Sequence, residues 1–144
     1  MVTQVRTTRI GQSLVEFALI GPLFFLLVFG ILEGGRLIWT NHTLSNAAKE
    51  GARFTTVRGA GSTQPDAPAT DGSIENYIVD ITTGLNAEDL HVSLILIDGD
   101  MEDRSRFRVE TSYDHDFILT SIFGIGSITL GATSTDMFWR EPDD

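Results

Sequence analysis

The hydrophobic pattern changes character along the chain. From Phe17 to Leu32 no residue is charged, and this sixteen-residue run predicts an apolar helix. At ~1.5 Å per residue it spans about 24 Å, short of a ~30 Å hydrocarbon core, so Leu14 and Val15 must join it to cross a bilayer. Beyond it, Leu37, Leu44, Ala48 and Gly51 recur at helical spacing, with Lys49, Glu50 and Arg53 on other faces. The pattern predicts one long helix, roughly Leu14 to Arg58, apolar all round in its first half and amphipathic in its second.

Pro22 lies within that helix, removes one backbone donor and favours a kink, either as a tolerated bend or as a weak point during packing. The small residues Ala47, Ala48, Gly51 and Ala52 allow a sheet to approach closely. From Gly59 to Gly72 the composition turns to Gly, Ser, Thr, Pro, Ala and Asp, a surface loop or linker. Ser73 is placed to cap a short helix carrying Ile74, Ile78, Ile81 and Leu85.

After Asn86 the period shortens. Leu90 to Ile97 reads as a strand, and Asp98-Gly99-Asp100 opens a turn. Arg106 to Tyr113 then alternates Phe107, Val109, Thr111 and Tyr113 against Arg108, Glu110 and Ser112, so the two runs predict an antiparallel hairpin. Phe117 to Phe123 suits a helical turn or irregular crossover, and Ile128 to Trp139 a last strand with Ile128, Leu130, Ala132 and Ser134 on one side. The expected fold class is α+β: a long N-terminal transmembrane-to-amphipathic helix packed on a small antiparallel sheet, with one short additional helix.

Charge assigns the two ends to different surroundings. The net charge is −10, but up to Arg58 there are six basic and three acidic residues, and beyond it four basic and seventeen acidic. An acidic C-terminal domain argues against nucleic acid as a partner. Arg6 and Arg9, with no acid before Glu16, direct the N-terminus to the cytoplasm by the positive-inside bias and the acidic remainder outward. A cleavable secretory signal is the competing explanation. Against it, no A-x-A-like site follows Leu32, and the helical pattern continues through Glu33-Gly34-Gly35-Arg36.

Few residues carry recognisable chemistry. Cysteine is absent, and His42, His91 and His115 form no zinc spacing. Asp114-His115-Asp116 has the composition of a catalytic site, but adjacent residues of a strand or turn point in different directions, so it reads as a solvated loop. Asp98 to Asp103 is acid-rich, either a charged hairpin tip or a calcium loop, though without the EF-hand pattern. No nucleophile-elbow or phosphate-loop pattern occurs, so neither an enzyme nor a cofactor is expected. Glu33 and Arg36, three apart at the outer end of the apolar run, suit a mutual ion pair or an exchange with a neighbouring subunit.

Glu16 is harder to explain. A charged side chain at the centre of a bilayer costs roughly 2.5–3.5 kcal/mol. If Gly11 ends a removed leader, Gln12 becomes a free α-amino terminus four residues before Glu16, on the same helix face and about 6 Å away along the axis. An amine of the same or an adjacent helix then neutralises the carboxylate and sets the register between packed helices.

This junction resembles that of type IV pilins: a short basic leader, Gly11, Glu16 as fifth mature residue, then an apolar helix. More specifically, the chain resembles the TadE-like minor pilins, or pseudopilins, of the tight-adherence (Flp) pilus system. The matching stretches are Val15-Glu16-Phe17-Ala18-Leu19-Ile20-Gly21-Pro22-Leu23, Phe29-Gly30-Ile31-Leu32-Glu33-Gly34-Gly35-Arg36 and Leu44-Ser45-Asn46-Ala47-Ala48-Lys49-Glu50-Gly51-Ala52-Arg53. The chain departs from the family in separating Arg6 from Arg9 by two threonines and in having Gln12 at the first mature position.

The resemblance implies a substrate of a membrane aspartyl prepilin peptidase, cut between Gly11 and Gln12. It implies as partners other pilins, inner-membrane pilus assembly proteins and membrane lipid, in a homo- or hetero-oligomer supporting adhesion and biofilm formation. The corresponding organisation is a leader (1–11), a transmembrane part (12–36), an amphipathic continuation (37–58) and an acidic extracytoplasmic domain (59–144), anchored singly in the bacterial inner membrane. The alternatives are a single-pass anchored binding protein with no pilus role and, less consistently with the missing catalytic pattern, a secreted enzyme.

Overall fold

The computed structural model describes residues 8–118, 124 and 126–139. Helix α1 runs over Thr8–Thr56 (49 residues) and helix α2 over Asp71–Ile81. A 3-10 turn at Ala87–Asp89 leads into β1 (Leu90–Leu96), followed by β2 (Arg106–His115) and β3 (Ile128–Met137). The strands form one antiparallel sheet in the order β1-β2-β3. The chain divides into two units, residues 1–36 and 37–144. The fold is α+β, as the periodicity predicts.

The first unit contains the N-terminal part of α1. The helix is already formed at Thr8, the first described residue and earlier than the expected Leu14, and passes through Gly11 and Pro22. An isolated glycine costs a helix only about 1 kcal/mol relative to alanine, too little to end it where favourable neighbours continue on both sides.

The second unit holds the core. Leu44, Ala47 and Ala52 from α1, Ile74 and Ile78 from α2, Leu90 from β1, and Phe107 and Val109 from β2 are buried together, with Phe138 beyond β3. Alternation along β2 follows the sequence pattern: Phe107, Val109 and Thr111 are buried, while Arg106 and Arg108 are exposed. Fully burying a side chain the size of Phe or Leu is worth roughly 1.5–3 kcal/mol, so this face supplies most of the attraction. The small-residue stripe has the packing role expected of it. A Cβ on Gly51 would lie 2.7 Å from Ile78 Cδ1 and 3.2 Å from Val109 Cγ1, so helix and sheet meet where there is no side chain.

Helix α1 ends at Thr56, two residues before the expected Arg58, and the Arg58 side chain joins one of its last carbonyls to the loop that follows. Its Nη1 donates to Phe54 O at 2.6 Å and its Nε to Pro65 O at 2.8 Å, while the guanidinium lies 3.6 Å from the centre of the Phe54 ring. A cation at a helix C-terminus is favoured by the unpaired carbonyls there. Phe54 in turn stacks on Tyr77 at 4.5 Å. At Gly59 a Cβ would fall 2.6 Å from Met101 O, so the turn after the helix requires glycine.

Helix α2 also differs from its sequence reading. Thr70, not Ser73, is the N-cap, and Ser73 occupies the third helical position of a reciprocal capping box. Thr70 Oγ1 accepts from Ser73 N at 3.2 Å, and Ser73 Oγ accepts from Thr70 N at 2.9 Å. Serine here does what Glu or Gln does in the usual box. Leu85 lies past the helix end at Ile81, and Ile81 is exposed, so only Ile74 and Ile78 are buried from this helix.

The strands start where predicted. β1 stops at Leu96 rather than Ile97, β2 runs on to His115, and β3 stops at Met137. Trp139 then follows a different partner, its N–H donating to Thr56 O at 2.8 Å. Most of the expected Phe117–Phe123 crossover lies outside the described residues, as does Arg6 of the leader.

Candidate membrane and assembly segment

Residues 11–32 are exposed apart from Gly21 and Val28, which are half-buried. Phe17 is 73% exposed and Leu19 72%, values opposite to those of a core helix. A continuous apolar surface of this extent has no stable place in water. A helix satisfies its backbone hydrogen bonds internally, the condition for life in lipid, and the segment is long and apolar enough to cross a membrane. Phe24 meets Phe25 edge-on at 5.7 Å, and Phe25 meets Phe29 at 6.5 Å, so part of the aromatic surface packs along the helix itself.

At the start of this surface, Gln12 Nε2 donates to Glu16 Oε1 at 3.3 Å. The four-residue spacing places both on one helix face, as expected from 3.6 residues per turn. Gly11 precedes them, and a Cβ there would meet nothing within 4 Å. Glu33 and Arg36 form an ion pair at 2.9 Å, with Arg36 Nη1 donating to Glu33 Oε1. Glu16 and Glu33 lie seventeen positions apart on α1, roughly 25 Å at the helical rise, and act separately.

The remaining sequence candidates have structural partners in the second unit. Asp98, at the tip between β1 and β2, is held by Arg106 in a fork: Nη2 to Oδ1 at 2.7 Å and Nε to Oδ2 at 3.1 Å, with Arg106 N also on Oδ2 at 2.7 Å. The side-chain hydrogen bond from Arg106, followed by its backbone N–H, lowers the Asp98 pKa to about 2, and the same hydrogen bond raises that of Arg106. Asp100 accepts from Ser105 Oγ and Asp103 pairs with Arg104. The acidic tip is thus tied to its own loop and to β2, and no group of three metal-ligating side chains occurs among the described residues.

Strand alternation separates Asp114 from His115. Asp114 Oδ1 accepts from Thr129 Oγ1 at 2.6 Å, while His115 is buried and meets Phe117 edge-on at 5.8 Å. His42 and His91 are exposed. Sequence spacing gives no sign of one surface feature, a hollow of about 220 Å³ on the outer sheet face, lined by His91, Ser93, Glu110, Ser112, Gly131 and Thr133 from all three strands. These residues meet only through the strand register.

No curated protein and no solved structure matches the chain. The family model described as TadE-like protein matches residues 11–53. That stretch begins at Gly11, contains Glu16, the exposed apolar helix and the Glu33–Arg36 pair, and ends at Arg53 beside the small-residue stripe, so over this long helix the chain is similar to the TadE-like family.

Proposed function

We propose that this chain is a minor pilin or pseudopilin of the tight-adherence pilus system. In this reading residues 1–11 are a cytoplasmic leader, 12–36 span the inner membrane, 37–58 continue the helix, and 59–144 form the extracytoplasmic domain. A prepilin peptidase cuts between Gly11 and Gln12. Other pilins and inner-membrane assembly proteins are its partners, and adhesion and biofilm growth follow from the fibre. The protein supplies packing surface and performs no catalysis.

The observation that carries this reading is the placement of residue 12 against Glu16 within the TadE-like stretch. Before cleavage, a neutral amide is the group that reaches the carboxylate. Cleavage adds an α-ammonium group at the same residue. Two unit charges about 6 Å apart attract by about 3 kcal/mol at an effective dielectric constant of 20, comparable with the cost of a charge at the bilayer centre and so enough to offset the smaller cost of Glu16 at the start of the apolar zone. An α-amine of a neighbouring helix offers the same attraction and ties helix register to processing.

The helix runs through the Gly11–Gln12 bond, so the peptidase must first open it. Helix ends fray, and glycine holds helical geometry least well among residues other than proline. Gly11 therefore lowers the cost of presenting an extended backbone at the cut.

Mass spectrometry of the membrane-extracted protein, coexpressed with active or inactive prepilin peptidase, tests the proposal. The expected mature N-terminus is Gln12, seen only with the active enzyme. An intact Met1–Gly11 segment in its presence overturns the reading in favour of a single-pass anchored binding protein with no pilus role.

A further inference from the structure

The two edges of the sheet are unlike. Ile97 N donates to Arg106 O, and Phe138 N to Ser105 O, which fixes the direction in which each strand's backbone groups point. Antiparallel pairing alternates these directions residue by residue. Leu90, Val92, Leu94 and Leu96 of β1 therefore face away from β2, as do Thr129, Gly131, Thr133, Thr135 and Met137 of β3. On β1 the Leu94 N–H donates to Asp71 Oδ1 at 2.6 Å, and α2 packs beside the strand. This edge is guarded.

β3 has no such guard among the described residues. Its outward residues are all exposed, its ten positions contain no Lys, Arg or Pro, and Asp136 is its single charge. Among the described residues the only partner of an outward N–H is local, from Met137 N to the Asp136 carboxylate at 2.9 Å. Long edges without lysine, proline or bulges are templates for a further strand.

We propose that this edge pairs with β3 of a second copy, antiparallel and centred on Thr133, joining two three-stranded sheets into one. In that register Thr133 opposes Thr133 of the copy, Gly131 opposes Thr135, and Thr129 opposes Met137, so every outward residue of one strand meets an outward residue of the other. Shifting the centre to Ala132 places Met137 opposite residue 127, outside the strand, and loses pairing at both ends. Thr–Thr pairs across strands are favourable.

Charge permits self-association despite the net −10. Asp136 faces Leu130 of the copy, so no like charges are directly opposed. In the central row Glu110 lies beside Thr133, placing it three strand spacings, about 14 Å, from its own copy. That exceeds the screening length of about 8 Å at physiological ionic strength. Arg108, 3.6 Å from Glu110, reduces the repulsion further. The inference is independent of cleavage at Gly11.

Because the chain has no cysteine, single cysteines report this contact without background. Directly opposed, hydrogen-bonded residues have Cα atoms about 5.5 Å apart, within disulfide range. Full-length Thr133→Cys in detergent micelles is expected to give a covalent dimer on mild oxidation, whereas Ser93→Cys, on the same face of β1, is not. Adding Thr135→Pro, whose missing N–H belongs to the free edge, should reduce the dimer at least tenfold with the circular dichroism unchanged. As a register test independent of the proline, Thr129→Cys mixed with Met137→Cys should form the mixed disulfide, and neither alone should dimerise. Dimer from Thr133→Cys no greater than from Ser93→Cys, absence of the mixed disulfide, or capture of a different protein when the oxidation is done in native membranes overturns the proposal.

Discussion

Gln12 and Glu16 touch across one turn of α1, amide nitrogen to carboxylate oxygen at 3.3 Å. The contact places the first residue after the proposed cut beside an acid in an otherwise apolar surface. Before processing, a weak neutral donor serves the carboxylate. After it, a charge on the same residue is available.

If that charge sets helix register, Glu16→Ala should leave cleavage at Gly11 intact and lower incorporation into fibres by at least tenfold. Mass spectrometry reads the first quantity, and quantitative blotting of sheared fibres the second. Unchanged incorporation would remove the register role from Glu16.

Gly11→Ala should slow processing. Alanine stabilises a helical position by about 1 kcal/mol relative to glycine, equivalent to roughly a fivefold change in the population opened for cleavage. Following the ratio of uncut to cut protein over time in membranes containing active peptidase measures the effect. Equal or faster cleavage would mean that opening of this turn does not limit the reaction.

Gly51→Val should destabilise the second unit by about 1–3 kcal/mol, the usual cost of overpacking a filled core. The valine Cβ begins 2.7 Å from Ile78 Cδ1, and Val109 closes the other side at 3.2 Å. Denaturant unfolding of the full chain in detergent, followed by tryptophan fluorescence, gives the comparison with Gly51. A variant of undiminished stability would show that helix and sheet can separate without loss.

Asp98 should contribute to stability in a definite acid range. Its folded pKa, about 2, lies below the ordinary 3.8 because Arg106 hydrogen-bonds the charged form. The unfolded chain therefore takes up the proton first as pH falls. The contribution is complete above about 3.8 and lost progressively as pH drops through about 2. Asp98→Asn should flatten the stability profile across that window and leave its shape near neutrality unchanged. Unfolding midpoints measured between pH 2 and 7 provide the test.

Much of the fold is legible in local pattern because its main elements are long or strongly periodic. The uncharged run from Phe17 to Leu32 and the alternation from Phe107 to Tyr113 each repeat one signal over several turns or pleats. Boundaries are less legible. Ser73 looks like a cap, yet Thr70 makes the cap and Ser73 completes it, since both residues carry a suitable hydroxyl and only backbone direction separates them.

By itself the sequence determined the apolar helix, the acidic sheet domain and the one-face placement of residues 12 and 16, because helix and strand periods act over neighbouring residues. Tertiary structure alone decided that Gly51 lies under Ile78, that Arg106 takes the Asp98 carboxylate, and that α2 covers β1 while β3 is left bare among the described residues. Those relationships join positions far apart in the chain, and no local period encodes which distant surfaces meet.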